Sequence, residues 1–297
     1  MKNNQVVVVG LIGQSLFLEV KHFPQKGETV EATKTFSEIG GKGFNQALAA
    51  RRMNADVTFL SVVGKDDLAQ TVKANLNNEK INFHLVEKDG STPFACILID
   101  KAGNNQVIVG KETINLFNEN DISKMENVFK QCSVLLLQGE IPHLTNQKVI
   151  TLAKNTDTFI IYNPAPARKE DLDFIKQVNL FTPNELEAKF LFGSDWEEKL
   201  PGYCAKNKTT IIVTRGKKGA VLFTPVLKKE YKAISSDAVD TTGAGDAFHG
   251  ALGAFLATNH SLDESMKKAL VVAGLSVRKK GIIHAYPTLQ ELMEFEK

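Results

Sequence analysis

Five short runs rich in β-branched residues and leucine, Val6 to Val9, Val57 to Val63, Val134 to Leu137, Phe159 to Tyr162 and Thr210 to Val213, alternate with longer segments of helical period. Runs that are apolar on successive residues read as strands buried on both faces, with the intervening helices as their cover. The alternation predicts an α/β fold of the three-layer, doubly wound kind, built on a mostly parallel sheet. In such sheets ligands bind beyond the carboxyl ends of the strands, where loops lead into helices, and chemistry is expected in those loops. At 297 residues and 43% hydrophobic content, the chain can bury a large core as one big α/β domain or as two smaller ones.

Lys2 followed by an apolar run superficially suggests a secretory leader, but the run is short, β-branched and without a small-residue cleavage site. Val6 to Ile12 is therefore read as a buried first strand, and no run is long enough to span a membrane. A net charge of +2 from 36 basic and 34 acidic residues, with the basic ones scattered, leaves no footprint for nucleic acid. Cys96, Cys132 and Cys204 lie far apart with no CxxC or Cys/His spacing, which fits a reducing cytoplasm and argues against structural zinc.

Two helices have readable starts. SLDE at Ser261 to Glu264 is a capping box, with Lys280-Gly281 as its basic end and glycine stop. A second helix begins near Gly245, placing Ala247, Phe248, Ala251, Leu252, Phe255 and Leu256 on one face. Two segments break the rhythm: Glu28 to Ile39 is extended and half polar, and TPFACILIDKAGNNQVIV reads as a hairpin turning at Lys101 to Asn105. They predict a small β-sheet lid inserted at about 14–39 and 92–110 of one domain covering 1–297.

Three constellations carry candidate chemistry. In TTGAGDAFHG, Gly243 and Gly245 let backbone N–H groups converge at a helix start, which is an anion site. Asp246 beside it would repel a resting anion, but suits a base that takes a proton from a nucleophile attacking that anion; the plainer alternative is a glycine turn with Asp246 as helix cap. In FSEIGGKGFNQALAARR, Gly40, Gly41 and Gly43 open a helix and permit close approach of a ligand, with Lys42 and Asn45 as donors for hydroxyls, or they form a bland helix entry. In LFTPNELEAKFLFG, Pro183 starts a helix whose Asn184 and Glu187 share one face; they hold Mg²⁺ through water or merely answer the helix dipole. Thr214 to Gly219 is a strand end and turn unless a nucleotide lies across it. Lys42 is followed by Gly43, so the Walker A pattern fails. GAGDAF ends in Phe248 and GKGFNQ in Gln46, so the dinucleotide fingerprint fails too.

Taken in order, HFPQKGETV, GGKGFNQALAA, NPAPAR, TPNELEA, TRGKKG, DTTGAGDAF and RKKG resemble the ribokinase branch of the phosphofructokinase-B type sugar kinases over nearly the whole chain. The resemblance implies an ATP-dependent kinase for a primary hydroxyl of ribose or a ribose-like sugar. It implies Asp246 as catalytic base and the Gly243, Ala244 and Gly245 amides as the anion hole. Gly41, Lys42, Gly43, Phe44, Asn45 and Glu140 would meet the sugar. Asn184, Thr214, Arg215, Gly216, Lys217, Lys218, Gly219, Gly245 and Leu270 would border the nucleotide, the last where a histidine often stands. Glu187 would hold Mg²⁺ through water. A monovalent cation, usually K⁺, would sit near Asp240, Thr242, Ser276, Lys279, Gly281 and Ala285. The lid would pair two subunits into a homodimer. One departure concerns the acceptor: where the resemblance implies Asn and, two residues on, Asp, both contacting sugar hydroxyls, this chain has Gly13 and Ser15 around Gln14. Either Gln14 or Ser15 substitutes, or the pocket accepts a different polyol, such as another pentose, a deoxy sugar, a hexose or a nucleoside. A non-catalytic sugar or nucleotide sensor is the reading outside enzymology.

Overall fold

The computed structural model describes residues 4–297; Lys2 lies outside the described residues. Strands β1 (Gln5–Val9), β4 (Asp56–Gly64), β5 (Asn82–Lys88), β8 (Val134–Gln138), β9 (Phe159–Asn163), β10 (Leu180–Phe181), β11 (Ile211–Thr214), β12 (Ala220–Phe223) and β13 (Lys228–Tyr231) form the main sheet, in the order β13-β12-β11-β10-β9-β8-β1-β4-β5. Every pair from β11 to β5 is parallel, and β12 and β13 add an antiparallel edge. The valine run of β1 shows why the sheet needs two covers: Val6 and Val8 enter one apolar layer, Val7 and Val9 the other.

Helices α1 (Lys42–Arg52), α2 (Asp67–Asn78), α9 (Ala244–Ala257), α10 (Leu262–Ser276) and α11 (Leu289–Phe295) cover the first face. The second is covered by α3 (Glu112–Asn115), α4 (Glu119–Ser123), α5 (Glu126–Phe129), α6 (His143–Lys154), α7 (Glu185–Phe192) and α8 (Trp196–Asn207). The sequence suggests one apolar face for α9, yet it is buried from Asp246 to Phe255 on all sides. Small residues allow this: a Cβ at Gly250 would collide with the Gln46 carbonyl on α1, and one at Gly253 would meet Leu136 of β8 at 2.9 Å.

Two helix boundaries differ from expectation. Helix α7 starts at Glu185 with Asn184 as its cap, so Pro183 stands outside it. Helix α10 does begin at the Ser261 capping box, but it ends at Ser276, well before Lys280-Gly281. There the Val277 carbonyl accepts the N–H groups of Val239 and Asp240, fastening the helix end to the segment that leads into α9 and turning the chain out early.

A second sheet has the order β3-β2-β6-β7, formed by β2 (Gly13–Val20), β3 (Ala32–Gly40), β6 (Phe94–Ile99) and β7 (Asn105–Gly110). The turn between β6 and β7 is fixed by the Asp100 carboxylate, which accepts from the Ala102 and Asn104 amides at 2.9 Å each. β2 follows β1 after three residues and β3 runs into α1 through Gly41, so this lid sheet is covalently continuous with the centre of the main sheet.

Candidate active site

Strand order reverses at β1, with β4 and β5 on one side and β8 to β11 on the other; a crevice forms beyond the carboxyl ends at such a point. Gly10 follows β1, Gln138 closes β8 and Asn163 closes β9, and α1 descends onto them. The close descent explains the glycines at the start of α1. A Cβ on Gly41, which has φ +104°, would meet the Leu11 carbonyl oxygen at 2.5 Å, and one on Gly43 would lie 2.7 Å from the Gly10 backbone. These two glycines therefore serve contact between backbones, in addition to the ligand access read from the sequence. Phe44 donates its N–H to the Leu11 carbonyl and buries its ring in the core, so its side chain cannot meet a sugar.

Asp246 sits in the first turn of α9, three residues past its cap Gly243; it is not the cap. It is 5% exposed, and both carboxylate oxygens are held: Asn45 Nδ2 donates to Oδ2 at 3.0 Å and Gln46 Nε2 donates to Oδ1 at 3.1 Å. Asn45, expected at the sugar, thus orients the carboxylate. Gln46 is in turn held by Gln138, whose Nε2 donates to its Oε1 at 2.8 Å, while Asn163 donates to the Thr182 carbonyl at 2.8 Å. Each carboxylate oxygen keeps a second lone pair for a proton.

The charges around Asp246 are interdependent. Asp246 raises the Lys42 ammonium above its ordinary value, with Glu140 and Glu187 adding to the effect and burial opposing it. Burial pushes Glu140 up to about 7 against the pull of Lys42, and one of its oxygens accepts the Lys42 N–H at 2.7 Å. Burial also raises Glu187, although its carboxylate accepts the Asn184 N–H at 2.8 Å in a capping box. His249, one turn beyond Asp246 and fully enclosed, is lowered to about 4 by burial and is therefore neutral at pH 7.

Gly243 caps α9 in the left-handed region, φ +72°, with its carbonyl accepting the Tyr286 hydroxyl at 2.7 Å. Gly245 faces open space, while the Ala244 N–H reaches back to the Thr241 carbonyl at 3.3 Å. The bare first turn thus presents the positive end of a 14-residue helix next to Asp246.

The other predicted residues divide. Asn184 and Thr214 meet through a parallel bridge, and Gly216 borders open space. The Arg215 guanidinium instead pairs with Glu230 at 3.3 Å and Glu197 at 3.6 Å, and Lys218 pairs with Glu185 at 3.2 Å. Leu270 is buried in the core layer of α9 and α10. The Asp240 carboxylate accepts the N–H groups of Thr242 and Gly281 at 2.9 and 3.0 Å, and Lys279 pairs with Glu291, so only its carbonyl is available to a cation. The next amide, Ile282, donates to Glu38 of lid strand β3 at 3.3 Å.

Under the lid lies a cavity of about 310 Å³ lined by Gly13, Gln14, Ser15, Gly41, Glu140 and Lys111 among others. A Cβ at Gly13 would collide with the Pro93 carbonyl, so no side chain fits at that place in this chain. Gln138, Asn163, His249 and Lys111 have no place in the sequence reading, and Gln46 appears there without a role. Only Gln46, adjacent to Asn45 on the first turn of a helix already singled out, had a signal that could have found it.

Residues 3–289 match the family described as pfkB family carbohydrate kinase. The chain belongs to the pfkB family. Within it, the kinase is 34% identical over 292 residues to a ribokinase of Lactococcus lactis, covering 97% of this chain and 95% of that one. It is 32% identical over 299 residues to a deoxyribokinase of Salmonella typhi, covering 98% of each. The structure of a ribokinase from Thermotoga maritima superposes with a TM-score of 0.88 at 29% identity, covering 98% of both chains. These findings agree with the expected three-layer α/β fold and small β lid, and with a phosphotransferase of the ribokinase branch that phosphorylates a sugar using ATP.

Proposed function

We propose that this kinase transfers the γ-phosphoryl group of ATP to a primary hydroxyl of a ribose-like monosaccharide, with Asp246 as base. The observation that carries the proposal is Asp246 itself, buried beside the helix start of α9 with each oxygen held by a separate amide of α1. As the acceptor oxygen attacks phosphorus, its proton passes to Asp246. The bond from phosphorus to the bridging oxygen of ADP breaks, and ADP leaves with the electron pair. The amides of Gly243 and Gly245 would meet the charge on the moving group, whereas that of Ala244, expected to join them, is already given to the Thr241 carbonyl. Asn184 and the Thr214–Gly219 turn border the nucleotide, chiefly through Thr214 and backbone, because Arg215 and Lys218 are engaged in ion pairs.

Among the described residues no group of three or more His, Cys, Asp or Glu could hold a metal ion. Glu187, one of whose oxygens accepts the Asn184 N–H, would hold Mg²⁺ through water with the other, and the ion would supply neutralisation of charge on the phosphates. Asp240, with the carbonyls around Gly281, offers an oxygen-only donor set that suits K⁺. Leu16, Phe94, Val107, Ile108 and Val109 of the lid sheet are exposed and apolar, which supports pairing of two lids in a homodimer. No helix among the described residues is long and apolar enough to cross a membrane.

D-ribose, phosphorylated at its 5-hydroxyl, is the first acceptor to test. Gly13 and Ser15, which lack the implied Asn and Asp, favour a second reading in which the acceptor is a different polyol. ADP release across pentoses, deoxypentoses, hexoses and nucleosides, with Asp246→Asn as the blank, decides between them. The variant is expected to lose about 10²–10⁴-fold in turnover and to keep nucleotide binding. An Asp246→Asn protein as active as the parent would remove the proposed base.

A further inference from the structure

The acceptor cavity holds a cation that forms no ion pair or hydrogen bond among the described residues. Lys111 follows lid strand β7 directly and lines the cavity together with Glu140, whose carboxylate it reaches only through space; no carboxylate among the described residues stands at ion-pair distance from it. Lysines elsewhere near the site are engaged: Lys42 lies in the field of Asp246, Glu140 and Glu187, Lys88 pairs with Asp121 at 2.8 Å, and Lys218 pairs with Glu185. Glu140 is the one carboxylate lining the cavity, and one of its oxygens is already occupied by the Lys42 N–H.

The remaining polar lining at the lid end is the amide of Gln14 and the hydroxyl of Ser15, and Pro93 leaves position 13 no side chain. That end therefore offers an ammonium, an amide and a hydroxyl, and the nearest carboxylate in the lining, Glu140, already accepts the Lys42 N–H. A neutral polyol gains little from an ammonium that water already solvates. An anionic oxygen gains a charge-assisted hydrogen bond, which strengthens as the lid closes and water leaves. One lysine, with no second cation beside it, matches a single negative charge.

We propose that Lys111 is a specificity-determining residue that selects an acceptor bearing a carboxylate at the end remote from the phosphorylated hydroxyl, a sugar acid rather than a neutral sugar. The inference rests on the kinase reading of Asp246 and narrows its substrate class. Acceptor size is consistent: 310 Å³ is at the small end for ligand pockets and suits a monosaccharide.

The test compares D-ribose with D-ribonate, which share a carbon skeleton and a terminal primary hydroxyl, by ADP release in the parent, Lys111→Gln and Lys111→Glu, with Asp246→Asn as the blank. The parent is expected to favour ribonate by at least about tenfold in kcat/KM. Lys111→Gln should raise the KM for ribonate about ten- to hundredfold with kcat little changed, and Lys111→Glu should raise it further. D-ribose should be indifferent to both changes. Ligand-dependent melting of the Asp246→Asn protein, with and without Lys111→Gln, separates binding from chemistry. Turnover of ribose with no stabilisation by ribonate overturns the role of Lys111 and leaves the kinase reading standing. Stabilisation by ribonate that depends on Lys111, without ADP release from either compound, supports Lys111 and overturns the kinase reading for these acceptors. Absence of both signals overturns both.

Discussion

The floor of the active site and its lid are built on opposite plans. On the floor, Asp246 is reached by two amides of α1, and one of these is held by a third amide at the end of β8, all nearly excluded from water. In the lid, strands β2, β3, β6 and β7 carry exposed apolar residues, and their aromatic packing includes a single stacked pair, Phe17 on Phe36, with centroids 4.7 Å apart. A nested, water-free network fixes one geometry and tolerates little change, whereas a two-faced exposed sheet can vary its inner residues at small cost to the fold. On the proposed reading, the floor carries the reaction and the lid the choice of acceptor.

The rigidity of the floor is most open to challenge at the α1–α9 seam. Gly250→Val should cost about 3 kcal/mol, because its Cβ meets the Gln46 carbonyl, and turnover should fall along with the melting temperature. Unchanged stability would mean that the floor is not rigid. Glu140 gives an effect of about 2–3 kcal/mol that depends on pH. Its carboxyl titrates near 7 in the folded state and at 4.5 when unfolded, so the fold holds the proton more tightly and loses stability as pH rises through that window. Denaturant unfolding at pH 5 and pH 8 should therefore show Glu140→Gln gaining on the parent as pH increases. A gap independent of pH would contradict a buried, ionisable Glu140.

Smaller effects sharpen the division. Gln46→Met removes a donor to Asp246 and leaves Gln138 Nε2 without its acceptor, so kcat should fall about tenfold or more with acceptor KM little changed. A pure KM effect would move Gln46 from orienting the base to binding the sugar. Phe17→Ala, in the lid, should cost about 1 kcal/mol and appear as a several-fold rise in acceptor KM with kcat preserved. Loss of kcat there would show that the lid takes part in the chemistry.

The fold was readable because burial on both faces leaves a direct imprint: the valines of β1 have no other use than to fill two apolar layers. Asp246 was readable because a carboxylate beside bare glycines is chemically conspicuous. Its support was not, since Gln46 and Gln138 are 92 residues apart and amides leave no periodic trace. Lys111 was hidden for a related reason, being an ordinary lysine until the end of β7 brings it to the rim of the cavity that Glu140 also lines. Helix ends were misread where tertiary contacts decide them, as at Val277, whose carbonyl is claimed by Val239 and Asp240.

The adjacent amides of Gly281 and Ile282 are gripped from two sides, by Asp240 ahead of α9 and by Glu38 of β3. For protein engineering this makes the lid an incompletely separable module. A graft of β2, β3, β6 and β7 from a relative, made to test whether acceptor choice travels with the lid, would also cut a stitch to the loop that Asp240, ahead of α9, holds. A transplanted lid would need to carry a carboxylate at position 38, or the host loop would have to be redesigned along with it.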